Sequence, residues 1–186
     1  MAKVYIFFAT GCEEVEALTV VDLLRRAKIE TVMVSVTGEK IVTSSHGVSI
    51  ITDALFEEID DSADMIVLPG GLPGTHNLAA HAGLTQMIHR FDAAGKYLAA
   101  ICAAPTVYGK MGLLEGRMAT CYPGMESELL DATTLEDGVV IDGRYITSRG
   151  LGTAIPFGLA LVGLLTDTET AEALAHKIVY ESELFG

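Results

Sequence analysis

Tyr97-Leu98-Ala99-Ala100-Ile101-Cys102-Ala103-Ala104-Pro105 sets an unbroken apolar run directly before a cysteine, two alanines and a proline. Such a run reads as a strand buried on both faces, and a proline four residues past its end reads as the first turn of a helix. Cys102 then stands at a strand-to-helix junction, with small residues on either side that let the chain turn sharply, as in a nucleophile elbow. A sulfur there faces the positive end of a helix and free backbone N–H groups, which favour the thiolate, the nucleophilic form. The alternative is that Cys102 is one more small buried hydrophobe.

Outward from this junction, apolar runs alternate with segments of helical period. Lys3–Ala9, Thr31–Val36, Met65–Leu68, Tyr97–Ile101 and Met118–Thr120 read as strands, and Glu13–Ala27, Leu84–Ala94, Ala103–Met111, Thr153–Leu165 and Glu169–Glu183 as helices. Ile41–Ile51 and Val139–Thr147 look antiparallel, the second around an Asp142-Gly143 turn. The alternation predicts an α/β fold with a mostly parallel sheet and helices on both faces. With no repeat, low-complexity tract or linker, the 186 residues are expected to form a single domain, 1–186.

Twelve Lys and Arg against 25 Asp and Glu give a net charge of −13, and no basic block exceeds Arg25-Arg26. Nucleic acid and anionic membrane are therefore poor partners, since each phosphate contact needs a cation; a small molecule or another protein is expected. The apolar stretches Tyr97–Ala104 and Ala154–Leu165 fall short of the ~18 residues of a membrane span. Ala9-Thr10-Gly11-Cys12 has the look of a lipoprotein cleavage site, but the apolar run before it, Val4–Ala9, is shorter than the roughly 7–15 residues of a signal peptide. The cysteines, Cys12, Cys102 and Cys121, are odd in number and lack Cys-x-x-Cys spacing. This argues against a disulfide framework or a structural zinc site and for the reducing cytoplasm.

Ligands of open α/β sheets collect at the carboxyl ends of the strands, which draws attention to two more junctions. In Thr10-Gly11-Cys12-Glu13-Glu14-Val15-Glu16, Thr10 and Glu13 have capping-box spacing, and Glu13 and Glu14 suit the helix dipole. Glu16 lies about 125° from the polar face set by Asp22, Arg25 and Arg26, on the side of Val20 and Leu23. A carboxyl group on an apolar face tends toward a raised pKa, which suits a proton carrier. Met65-Ile66-Val67-Leu68-Pro69-Gly70-Gly71-Leu72-Pro73-Gly74 ends a strand in a glycine-rich turn that matches neither the dinucleotide nor the phosphate-loop pattern. It reads as an oxyanion-binding turn or as a plain tight turn. His46, His76, His81, His89 and His176 show no metal-ligand spacing and are expected on the solvated surface, so no metal site is anticipated. Arg149-Gly150-Leu151-Gly152-Thr153 either lines a pocket or is a helix-entry loop, and Asp22 with Arg26 reads as a solvated pair.

Together, Glu13-Glu14-Val15-Glu16, Leu68-Pro69-Gly70-Gly71, Ala100-Ile101-Cys102-Ala103-Ala104-Pro105 and Thr147-Ser148-Arg149-Gly150-Leu151-Gly152-Thr153 resemble the DJ-one/ThiJ/PfpI superfamily. The sequence looks most like its DJ-one branch and bacterial relatives. The resemblance implies a flavodoxin-like three-layer sandwich of the class I glutamine amidotransferase kind, a homodimer, and activity on α-oxoaldehydes such as methylglyoxal or on glycated adducts. It implies no cofactor, and a role in oxidative or carbonyl stress through oxidation of the same cysteine; the alternative is a redox-sensing or chaperone protein in which oxidation of Cys102 to sulfinate is the signal and turnover is incidental. Carried over by residue, Cys102 is the reactive cysteine and Glu16 the protonated carboxyl group bonded to its sulfur. Gly71 and Ala103 supply oxyanion-binding N–H groups, Gly70 shapes the turn, and Tyr122 and Gly150 border the substrate. The sequence departs from the family where Tyr122 stands at a position that many members give to His, and Ala103 where the peptidase-like branch has His after the nucleophile. An amidase or peptidase therefore lacks its base, because a phenol with an ordinary pKa of about 10 is no neutral-pH base.

Overall fold

The computed structural model describes residues 2–180. In chain order the elements are β1 (Lys3–Phe8), α1 (Glu14–Arg26), β2 (Glu30–Ser35), β3 (Ile41–Thr43), β4 (Ser49–Ile51), β5 (Ala54–Leu55), β6 (Met65–Leu68), α2 (Gly74–Ala80) and α3 (Ala82–Ala93). The chain continues through β7 (Tyr97–Ile101), α4 (Pro105–Lys110), β8 (Met118–Ala119), β9 (Thr133–Thr134), β10 (Val139–Asp142), β11 (Tyr145–Ser148), α5 (Ala154–Leu165) and α6 (Thr168–Lys177).

Seven strands form one sheet in the order β10-β11-β7-β6-β1-β2-β5, parallel except for the β10–β11 hairpin. Both faces are covered, so the strand side chains divide by parity. Val4, Ile6 and Phe8 of β1 pack with Leu24 of α1 and Phe157 of α5, while Tyr5 and Phe7 pack on the other side with Phe91 of α3 and Tyr108 of α4. This is the flavodoxin-like three-layer α/β architecture, and it explains why the strands read as continuous apolar runs. From β1 the chain proceeds to one side of the sheet and from β6 to the other, so their carboxyl ends flank a topological switch point.

Several expectations are corrected. Met118–Thr120 is not a strand of the main sheet; Met118–Ala119 pairs with β9 in a separate two-stranded ribbon, and the place beside β7 goes to β11. Thr10 forms no capping box: Gly11 at φ +83° delays the helix, and Glu13 becomes its own N-cap, accepting Val15 N–H at 3.3 Å. The fourth helix begins at Pro105 rather than Ala103, because Cys102 takes a left-handed backbone. The glycine-rich turn continues into α2, a helix without an apolar period to announce it. The last helix ends at Lys177; residues 181–183 of the expected segment lie outside the described residues. The Ile41–Ile51 hairpin forms as read. Among the described residues no helix is long and apolar enough to cross a membrane.

Candidate active site

Three chain segments meet at the switch point. The turn after β1 and the turn after β6 lie backbone against backbone: Glu13 N–H donates to Gly70 C=O at 2.8 Å, and Gly74 N–H to Gly11 C=O at 3.1 Å. Only glycine permits this approach. Gly71 sits at φ +88°, and a Cβ there would stand 2.4 Å from Glu13 N. The close packing carries the first turns of α1, with Glu16, to the carboxyl end of β6.

Cys102, at the end of β7, has φ +65°. A non-glycine residue in this region costs roughly 1–2 kcal/mol, so its surroundings must impose it. Cys102 N–H donates to Ser148 C=O at 2.9 Å, and Cys102 C=O accepts Tyr122 N–H at 2.7 Å. Strand β11 and the 120s loop thus grip the residue from both sides, and Cys102 remains partly exposed while Cys12 and Cys121 are buried. The sequence carried no sign of the Ser148 and Tyr122 backbone contacts, which arise from segments 46 and 20 residues away.

Glu16 is 1% exposed and accepts Gly70 N–H on Oε2 at 2.9 Å; its Oε1 is buried without a hydrogen bond of good geometry. The carboxyl group lies against the Cys102 thiol, and Gly70 keeps the wall between them bare. A Cβ on Gly70 would be 2.5 Å from Cys102 Cβ, 2.8 Å from Glu16 Oε2 and 3.0 Å from Cys102 Sγ. Burial raises the Glu16 pKa to about 7, with the Glu13 charge adding to the rise and the contacts with Cys102 and Gly70 N–H opposing it. Burial likewise pushes the Cys102 thiol up to about 12, reinforced by the charge and hydrogen bond of Glu16. The N–H groups of Gly71 and Ala103 pull it the other way. The helix end therefore does not by itself make a thiolate: its donors are present, but desolvation and the neighbouring carboxylate outweigh them.

Tyr122 is 52% exposed and its ring lies over Gly150, where a Cβ would meet it at 3.6 Å. The Tyr122 backbone, rather than its phenol, is in contact with Cys102, and Gly150 adjoins the Tyr122 ring. Two histidines are not simply solvated. His81 caps α3 by accepting Leu84 N–H at 3.0 Å and meets Phe56 edge-on. His46 reaches Glu14 at 3.2 Å and Glu13 at 3.5 Å. Asp22 and Arg26 form the exposed pair read from their spacing, at 2.6 Å.

Residues 2–164 match the model of the DJ-1/PfpI family. Protein DJ-1 homolog B of Arabidopsis thaliana is 42% identical over 180 residues, covering 95% of this chain and 41% of that protein. The chain thus spans less than half the length of that relative. A protein of Caenorhabditis elegans named glutathione-independent glyoxalase DJR-1.2 is 31% identical over 165 residues, 87% of each chain. The solved structure of oxidized Toxoplasma gondii DJ-1 superposes with a TM-score of 0.93 at 36% identity, covering 97% of this chain and 99% of that one. A matching family model over most of the length, and a common fold with its glycine turn and cysteine junction, make this chain a member of the DJ-1/PfpI family.

Proposed function

We propose that the chain is a cofactor-independent, cysteine-dependent enzyme that acts on α-oxoaldehydes such as methylglyoxal, of the glyoxalase III or deglycase kind. The observation that carries this reading is the pairing of Cys102, held in a left-handed elbow, with a buried carboxyl group that titrates near neutrality. The glyoxalase name of the Caenorhabditis elegans relative supports it.

With Glu16 protonated, the charge that opposes Cys102 ionisation is gone: the sulfur loses its proton to solvent as it attacks, and the Glu16 proton passes to the aldehyde oxygen, which leaves Glu16 a carboxylate. Sulfur attack on the aldehyde carbon forms a C–S bond and a hemithioacetal, whose oxygen is met by Gly71 and Ala103 N–H. Glu16, as carboxylate, takes the proton from that carbon and returns it to the adjacent carbon, converting the hydroxy-ketone into a 2-hydroxy thioester. Water cleaves the thioester to the hydroxy acid and frees the thiol. The sum is methylglyoxal plus water giving lactate, with no external oxidant or reductant. Hydrolysis of amides has less support, since neither Tyr122 nor Ala103 offers a base.

The role assignments extend to Gly70 as the bare wall between acid and sulfur, and to Tyr122 and Gly150 as the substrate border. A homodimer is part of the same proposal, supported by exposed Val15 and Leu18 on α1, Leu151 in the turn before α5, and Ile155 at the start of α5. So is residence in a reducing compartment such as the cytoplasm, with three free thiols. A redox-sensing role is favoured by one observation, that Cys102 is the partly exposed thiol of the three.

Turnover of methylglyoxal by wild type, Cys102→Ala and Glu16→Gln proteins tests the proposal. Cys102→Ala should abolish lactate formation, and Glu16→Gln should lose ~100- to 10,000-fold while still trapping aldehyde at sulfur. Residual turnover in Cys102→Ala equal to wild type would sink the enzymatic reading. A Glu16→Gln protein that loses turnover in vitro yet keeps its function in cells would favour the redox role.

A further inference from the structure

We propose that Glu13, Glu14 and His46, with Ser45 beside them, form a binding site for a divalent transition ion of the zinc class, separate from the Cys102 centre. The donors come from two elements 32 residues apart in sequence: the N-terminus of α1, and the tip of the β3–β4 hairpin folded over it. Backbone bonds fix the two together, Gly11 N–H to Thr43 C=O and Ser45 N–H to Cys12 C=O, both at 2.8 Å. The side chains are thus presented by a braced frame and not by one acidic helix end.

Among the described residues this is the place where three Glu, Asp, His or Cys ligand atoms converge within 4.8 Å. Their spacing has a specific geometry. His46 Nδ1 lies 3.2 Å from Glu14 Oε1, 3.5 Å from Glu13 Oε2 and 3.1 Å from Ser45 Oγ. Ser45 Oγ lies 3.3 Å from both Glu13 Oε2 and Glu14 Oε2. A tetrahedron with metal–ligand bonds of about 2.0–2.2 Å has edges of about 3.3–3.6 Å, and the separations of His46 Nδ1 from the Glu14 and Glu13 oxygens, 3.2 and 3.5 Å, are close to that.

The charge balance points the same way. Glu13 is only 9% exposed and turns Oε2 into the cluster, and among the described ion pairs neither Glu13 nor Glu14 meets a Lys or Arg. The two largely buried carboxylates accept hydrogen bonds from Val15 N–H and the Ser45 hydroxyl, but the His46 imidazole is the one ion-pair partner they meet among the described residues, whereas a divalent ion would balance both charges. The His46 side chain is 67% exposed, which leaves the outer side open to water as the fourth ligand beside His46, Glu13 and Glu14, with Ser45 Oγ hydrogen-bonded to the two carboxylates and not itself a ligand. One nitrogen, two carboxylate oxygens and a water suit zinc or cobalt; calcium, which takes six to eight oxygens, and magnesium, with its octahedral shell, are poorly served.

The test titrates Zn²⁺ and Co²⁺ into the Cys102→Ala protein, so that the thiol cannot act as a competing ligand, with calorimetry for affinity and cobalt absorption for coordination geometry. The expected result is one ion per chain and a four-coordinate cobalt spectrum. Affinity should fall at least tenfold in both Cys102→Ala/His46→Ala and Cys102→Ala/Glu14→Gln, with equimolar Mg²⁺ or Ca²⁺ failing to compete. The exposed His46 side chain can be removed without disturbing the core, and thermal melting verifies that the variants fold. Absence of binding, unchanged affinity in both double variants, or equal competition by Mg²⁺ or Ca²⁺ would each overturn the site.

Discussion

Glu16→Gln should make the protein more stable at neutral and alkaline pH, even as it removes the proposed proton carrier. In the unfolded chain this carboxyl group ionises near its ordinary value of 4.5, whereas burial holds it at about 7 in the fold. As pH rises the unfolded state gives up the proton first, and the folded state must either retain it or bury a charge. The stability contributed by the neutral carboxyl group is therefore fully present below about 4.5, declines as the pH passes through about 7, and stays lost above it. The difference 7 − 4.5 corresponds to about 3 kcal/mol at about 1.4 kcal/mol per unit, undiminished by solvent because the residue is 1% exposed. Gln stays neutral throughout and keeps an oxygen for Gly70 N–H. In a chain of this size the gain amounts to roughly 6–12 °C in Tm. Urea unfolding of wild type and variant from pH 5 to pH 9 reads the effect: the two should converge at the acid end and separate by about 3 kcal/mol by pH 8. A pH-independent difference, or a Glu16→Gln protein less stable than wild type at pH 8, would refute the reasoning that desolvation dominates this carboxyl group.

Gly70→Ala should cost about 1–3 kcal/mol through overpacking and about 100-fold in methylglyoxal turnover, because its methyl would stand between Cys102 and Glu16; near-normal kinetics would show that the two groups need not touch. Mild peroxide followed by peptide mass spectrometry should find Cys102 oxidised before Cys12 and Cys121, which are buried, and sulfinate first at either of those would contradict the exposure argument. Tyr122→Phe should leave turnover within a few-fold of wild type, since the contact with Cys102 runs through the Tyr122 backbone; a dead variant would give the phenol a chemical role. Analytical centrifugation at micromolar concentration should find a dimer, and exclusively monomer would leave the apolar surface of α1 and α5 without an occupant.

The apolar runs and their helical intervals were sufficient for the fold class, because strands buried on both faces leave no polar period to confuse with a helix. The same logic singled out Glu16, a carboxylate on the wrong side of an amphipathic helix, and Cys102, a thiol at the end of an apolar strand. Local pattern failed where long-range packing decides. Met118–Ala119 has a strand's composition yet leaves the main sheet, because β11 takes the place beside β7. The helix after Gly74 has no apolar period of its own and forms where the glycine turns of β1 and β6 interlock. The left-handed backbone of Cys102 is imposed by Ser148 and Tyr122, remote residues acting through main-chain atoms that composition does not reveal. The gathering of Glu13 and Glu14 with His46 depends on a hairpin folding over a helix end. Sequence spacing reports periodicity within an element, and it was enough for the layers and the reactive pair; distances between elements, and with them the pKa of Glu16 and the geometry of the cation site, exist only once the chain has closed upon itself.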